Sequence, residues 1–173
     1  MRAFFDKRLN PSQQQTQLPL IFPLLIALIS GAVFSLALAP YYWWWLAILS
    51  PALLYACLKG RSPKQAFAIG WSYGFGLWFV GAFWLYTSIH VYGDTNAVLS
   101  ILMIAIMAIV MGLFTAIQTW VYRRFFPETP LTFAPLWVVF EWSKTWVFTG
   151  FPWLFAGYAF TERFLDSYAP LFG

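Results

Sequence analysis

The chain has 173 residues, of which 61% are hydrophobic, 23% aromatic and only 9% charged. A soluble domain carries roughly a quarter charged residues, so this chain cannot clothe a water-facing surface and reads as an all-α integral membrane protein. The net charge of +4 does not indicate nucleic acid, because the cations fall in short clusters between apolar runs rather than on one basic face.

A helix needs about 20 apolar residues to cross the hydrocarbon core. Five stretches qualify in chain order. The first, 19–38, is "PLIFPLLIALISGAVFSLAL". Its "ALA" at 37–39 resembles a signal-peptide cleavage site. The long polar lead to Gln17, and Pro40 directly after the cut, favour a retained helix. The second, 41–58, opens on the aromatic cluster Tyr41, Tyr42 and Trp43 to Trp45, an interfacial belt. It ends near Cys57, the sole cysteine, which forms no internal disulfide and reads as a small packing residue.

The third stretch, 66–89, carries Gly70 and Gly74 in a GxxxG arrangement. Such a stripe lets another helix of the same chain approach closely. The fourth is 97–121 and the fifth 131–148. Lipid offers the backbone no hydrogen-bond partners, so these runs are helices, and they are too long and uniformly apolar for barrel strands.

Orientation follows from the cations. Arg2, Lys7 and Arg8 precede the first span, Lys59, Arg61 and Lys64 follow the second, and Arg123 and Arg124 follow the fourth. Eight of the ten Lys and Arg thus lie on one side, expected to be cytoplasmic. The expected organisation is a cytoplasmic segment 1–18, a five-helix membrane domain 19–148, and a periplasmic aromatic arm 149–173 that leads into a further helix.

Few residues could carry chemistry. His90 and Asp94 stand four apart and could form an acid–base pair, although a lone interfacial His is more often just a wet side chain. One His and one Cys cannot build a four-ligand metal site, and no cofactor loop is present. Glu141 and Lys144 are spaced i, i+3 in the fifth span, so they share a helix face and can pair. Charges at membrane depth are costly and usually face a partner or a cavity. They read either as a self-neutralising pair or as a polar pocket for a lipid headgroup or acyl ester. Trp142 and Trp146 read as packing or interfacial anchors. Next comes "FTGFPWLFAGY": Gly150 is expected to end the helix and Pro152 to prevent it resuming. Phe151, Pro152 and Trp153 then form either a lipid-facing arm or an ordinary interfacial turn.

"EWSKTWVFTGFPWLFAGYAF", followed by "LDSYAPLFG", resembles the signature of bacterial apolipoprotein N-acyltransferases. "SYGFGLWFVGAFWLYTSIHVYGD" is similar to that family's third helix and the outer loop after it. The resemblance implies an inner-membrane enzyme. It moves an acyl chain from a phospholipid donor to the α-amine of a diacylglyceryl apolipoprotein acceptor, through a thioester on the enzyme. It also implies a bundle of eight helices with a periplasmic nitrilase-like domain holding a catalytic Glu-Lys-Cys set. None of that set can be matched here, and Cys57 is not its nucleophile. The chain is therefore expected to be the amino-terminal membrane part, inactive alone. The family pattern has Arg where this chain has Lys144, which replaces a bidentate fork by a point charge and weakens a headgroup clamp. By the resemblance, Glu141, Lys144, Phe151, Pro152 and Trp153 are the candidate lipid-binding residues. The competing reading is a small multi-span transporter or channel subunit. It would call for an internal repeat or polar stripes on several helices, and neither is seen.

Overall fold

The computed structural model describes residues 18–147 and 150–160. The described residues are helical, with no strand among them. The expected segment 1–18, all but Leu18, and the start of a further helix after 160 lie outside them, as does the expected boundary between 148 and 149.

Five α-helices stand in chain order: α1 (Ile21–Phe34), α2 (Leu46–Leu58), α3 (Pro63–Gly81), α4 (Ala97–Phe125) and α5 (Pro130–Ser143). They occupy the five expected spans with altered limits. Among the described residues, α4 alone is both long and apolar enough to cross a membrane unaided, while α1 with its trailing turn and α2 are apolar but shorter.

Local chemistry accounts for the shifted ends. α3 starts at Pro63, not at 66, because Ser62 and Gln65 form a reciprocal capping box with Pro63 at the first helical position. It ends at Gly81, not near 89. Beyond it Phe83, Leu85, Tyr86 and Thr87 donate to carbonyls three residues back, tightening the chain before a π-helical turn at Thr87–Tyr92. α4 is capped by the Asn96 side chain, which accepts from Val98 N at 2.8 Å.

α5 stops at Ser143, so the expectation that it runs to 148 and ends at Gly150 is corrected. The reason is local competition for backbone carbonyls. Ser143 Oγ donates to Phe140 O at 2.7 Å, and Thr145 Oγ1 donates to Trp142 O at 2.7 Å. The backbone follows into three-residue turns, Lys144 N to Glu141 O and Thr145 N to Trp142 O. Gly150, at φ +86°, then reverses the chain so that Phe151 N reaches Lys144 O at 2.8 Å.

α3 is the central element, packed between α1 and α4. Its glycines are the reason it can be. Gly70 faces Thr115 and Thr119 of α4, and a Cβ on Gly74 would sit 2.8 Å from Gly112 Cα. On the opposite face Gly76 abuts the Leu28 carbonyl, and Gly31 of α1 abuts the Tyr73 carbonyl. The GxxxG stripe thus serves packing within the chain, as expected. Replacing Gly76 with leucine is expected to force α1 off α3 and cost roughly 1–3 kcal/mol or more, seen as a lower unfolding midpoint in detergent.

Polar side chains lace the helices. Ser50 Oγ donates to Ser30 O at 2.7 Å and lies 2.8 Å from the buried Tyr73 hydroxyl. Thr119 Oγ1 donates to Ala66 O at 2.8 Å, and Ser72 Oγ to Leu24 O at 2.9 Å. The two ends of the bundle differ in chemistry. At one end the basic connections meet: Arg123 pairs with Glu128, Glu128 accepts from Gly60 N at 3.0 Å, and Arg123 Nε donates to Arg61 O at 2.8 Å. At the other end aromatic side chains gather around the segment after α5.

Candidate functional site

That aromatic segment, residues 150–160, is folded down onto the bundle. Phe151 turns inward, its ring 5.4 Å from that of Trp78 on α3. Leu154 adopts a left-handed backbone at φ +58° and is 7% exposed. A Cβ on Gly81 would come within 2.7 Å of its methyl groups. Tyr158 donates to the Pro152 carbonyl at 3.0 Å, tying the segment to itself. Phe160 reaches Trp44 at 6.1 Å, joining it to the aromatic belt.

Trp153 points the other way. It is exposed, with its ring 5.2 Å from Trp84 in the turn after α3. Between this segment and the chain leaving α1 lies a groove of about 480 Å³, walled by Leu38, Tyr42, Trp84, Trp153, Leu154 and Tyr158. That volume lies within the range of small-ligand sites, and its lining is mostly apolar, as such sites are. Trp and Tyr give the rim an apolar body with polar tips.

Glu141 and Lys144 sit beneath the segment. Glu141 is in the last turn of α5, and Lys144 is the residue that caps it, so neither lies at the middle of a long helix. Their charges lie close enough to act on each other, but they close no direct ion pair; among the described residues only Arg123 and Glu128 do. Each holds the arm instead. The Glu141 carboxylate accepts from Ala156 N at 3.0 Å. Lys144, 7% exposed, puts its ammonium 4.9 Å from the Phe155 ring and 5.7 Å from the Trp78 ring. A desolvated cation between two aromatic faces gains on the order of 2 kcal/mol from their quadrupoles.

The cavity against both charges is only about 10 Å³, room for about one water and no more. Gln118 Nε2, on a residue that lines it, is buried without a hydrogen-bond partner. Replacing Gln118 with leucine removes an unpaired polar group at little change of shape. It is therefore expected to leave stability within about 1 kcal/mol, or to raise it, as measured by detergent unfolding.

The remaining candidates stay apart. His90 lies in the π-helical turn with Nδ1 2.6 Å from the Thr95 carbonyl. Asp94 has left the helix at φ +46°, and no bond joins the two. Cys57 is half-buried in the last turn of α2, at the opposite end of the bundle. No His, Cys, Asp and Glu cluster able to hold a metal occurs among the described residues. Reading the sequence missed Trp78, Trp84 and Ala156. The one local signal was the aromatic run "GFPWLF" just after Lys144, which supplies the Phe155 face; Trp78 and Trp84 come from α3 and the turn after it.

Comparison with known proteins bears on most of the chain. The family described as apolipoprotein N-acyltransferase N-terminal domain matches residues 30–173. An apolipoprotein N-acyltransferase of Pseudomonas syringae pv. tomato is 42% identical over 155 residues, covering 86% of this chain and 31% of the relative. That of Coxiella burnetii is 40% identical over 155 residues, covering 86% and 32%. That of Vibrio parahaemolyticus is 36% identical over 154 residues, covering 86% and 30%. The chain thus spans about a third of the length of these curated relatives.

Proposed function

Because the chain belongs to the apolipoprotein N-acyltransferase family as its N-terminal domain, we propose that it is the membrane-embedded part of an enzyme that acylates bacterial lipoproteins. Residues 19–148 form the membrane domain, with α1 to α5 as its five crossings. The basic end faces the cytoplasm and the aromatic end the periplasm, in a bacterial inner membrane. The gathering of Arg61, Arg123 and Glu128 at one end and the aromatic arm at the other supports this polarity. So does the broad apolar surface α4 leaves exposed, including Leu102, Ile106, Val110 and Ile117.

The observation that carries the reading is the aromatic groove under Trp153. An acyl chain of a phospholipid fits an apolar trough with an amphipathic rim, and the reacting ester would lie at its mouth. Phe151, Pro152 and Trp153 form the arm that borders it. Glu141 and Lys144 serve lipid binding by fixing that arm.

The overall reaction moves an acyl group from phospholipid to the α-amine of a diacylglyceryl cysteine. A cysteine thiolate attacks the ester carbonyl, and the lysophospholipid alkoxide leaves and takes a proton. The amine then attacks the thioester and gives up a proton, forming an amide and returning the thiolate, so the proton released balances the one the alkoxide took. The Glu-Lys-Cys set for these steps is assigned to the part of the relatives' length that this chain does not span. The bundle's task is to present the donor lipid.

The test uses the native gene product, purified from its membranes. It is given phosphatidylethanolamine with a labelled acyl chain and a diacylglyceryl-cysteinyl peptide. Label in the peptide amide, with a hydroxylamine-sensitive enzyme adduct before it, is expected. Intact donor and unlabelled peptide would overturn the reading.

A further inference from the structure

A second groove opens at the basic end, away from the arm. It holds about 320 Å³ between the start of α1 and the end of α2. Ile26, Leu53 and the half-buried Cys57 are among its walls, and Lys59 and Arg61 line it as well. Its charge is out of balance. The Arg61 side chain is 7% exposed, and its Nη2 donates to the Leu18 carbonyl at 2.7 Å. A guanidinium carries five N–H donors, and among the described residues no carboxylate pairs with this one. The nearby Glu128 is engaged by Arg123 and by Gly60 N. Lys59 is exposed beside it, its ammonium 5.3 Å from the Tyr55 ring.

An apolar trough lined by two cations, one of them buried without an anion among the described residues, is complementary to a ligand with a hydrocarbon chain and an anionic head. We propose that this groove binds an anionic phospholipid, with an acyl chain along Ile26 and Leu53 and the phosphate at Lys59 and Arg61. Arg61 supplies a planar fork for two phosphate oxygens, and Lys59 a mobile point charge. Basic pockets between helices recognise anionic head groups in this way. The lipid held here is a structural one, because the site lies at the far end of the bundle from the acyl-donor groove. The inference rests on the membrane reading of the bundle but not on the acyl-transfer reaction.

The experiment is native mass spectrometry and thermal unfolding of the native gene product in a neutral detergent. Phosphatidylglycerol, phosphatidylcholine and inorganic phosphate are titrated separately. Retained phosphatidylglycerol and a rise in the unfolding midpoint with that lipid alone are expected. Lys59→Gln should weaken binding about fivefold, on the order of one cation's share, and Arg61→Gln about tenfold or more. Leu53→Trp should fill the trough and abolish binding with both cations intact. Should Arg61→Gln fail to fold, Lys59→Gln and Leu53→Trp, both at exposed positions, decide the matter. Equal effects of phosphatidylcholine would overturn the proposal, as would stabilisation by inorganic phosphate alone or undiminished lipid binding in Lys59→Gln and Leu53→Trp. A protein that extracts into buffer without detergent would instead overturn the membrane reading beneath it.

Discussion

Replacing Trp153 with alanine in the native gene product is expected to lower kcat/KM for acyl transfer by roughly thirtyfold while leaving the unfolding midpoint nearly unchanged. The side chain is 47% exposed, so its loss removes little buried surface. Its ring nevertheless forms one wall of the groove together with Trp84. An aromatic anchor at a binding site is typically worth about 2 kcal/mol or more, which is roughly thirtyfold in rate. Phenylalanine at this position keeps the apolar wall and should restore most of the activity. If Trp153→Ala folds and turns over at the parent rate, the arm has no part in handling the donor.

Replacing Glu141 with leucine is expected to cost about 3–5 kcal/mol of stability, because it strands Lys144 in a buried site with no anion near. It also leaves Ala156 N without its acceptor, so the arm should loosen as well. Glu141→Gln keeps an acceptor oxygen and should cost less. The double variant Glu141→Leu with Lys144→Met should recover part of the loss, since an apolar pair of similar volume carries no unpaired charge. Unfolding of Glu141→Leu, Lys144→Met alone and the double variant in mild detergent completes a double-mutant cycle. Additive losses would mean the two charges act independently, and the shared seat beneath the arm would then not be a unit.

The existence of five helices was legible because apolar runs and their basic or aromatic borders are local signals. The GxxxG stripe was legible for the same reason, and its partner proved to be α4 of the same chain. Helix limits were less so. Ser62, Pro63 and Gln65 form a strong start signal, but hydropathy alone absorbed them into the basic connection. The early end of α5 depends on where the Ser143 and Thr145 hydroxyls turn, which an apolar profile cannot register.

The candidate site shows the same division. Phe151, Pro152 and Trp153 were visible as a broken aromatic run, whereas the groove they border is made with Tyr42 and Trp84, distant in sequence. The i, i+3 spacing of Glu141 and Lys144 suggests a pair on one face. The structure keeps them out of direct contact because α5 ends between the two, and each finds a further partner in the arm or in α3. Long-range partners of that kind leave no trace in local spacing.

The most direct test of the central claim, that the bundle holds the donor lipid beneath the aromatic arm, is photocrosslinking in membranes. Phosphatidylethanolamine carrying a diazirine on its acyl chain is activated with the native gene product, and the adducts are mapped by mass spectrometry. Adducts concentrated on Leu38, Tyr42, Trp84 and Trp153, and depleted by excess unlabelled phosphatidylethanolamine, are the expected result. Adducts spread along the exposed face of α4, with none in the groove and no competition, would contradict it.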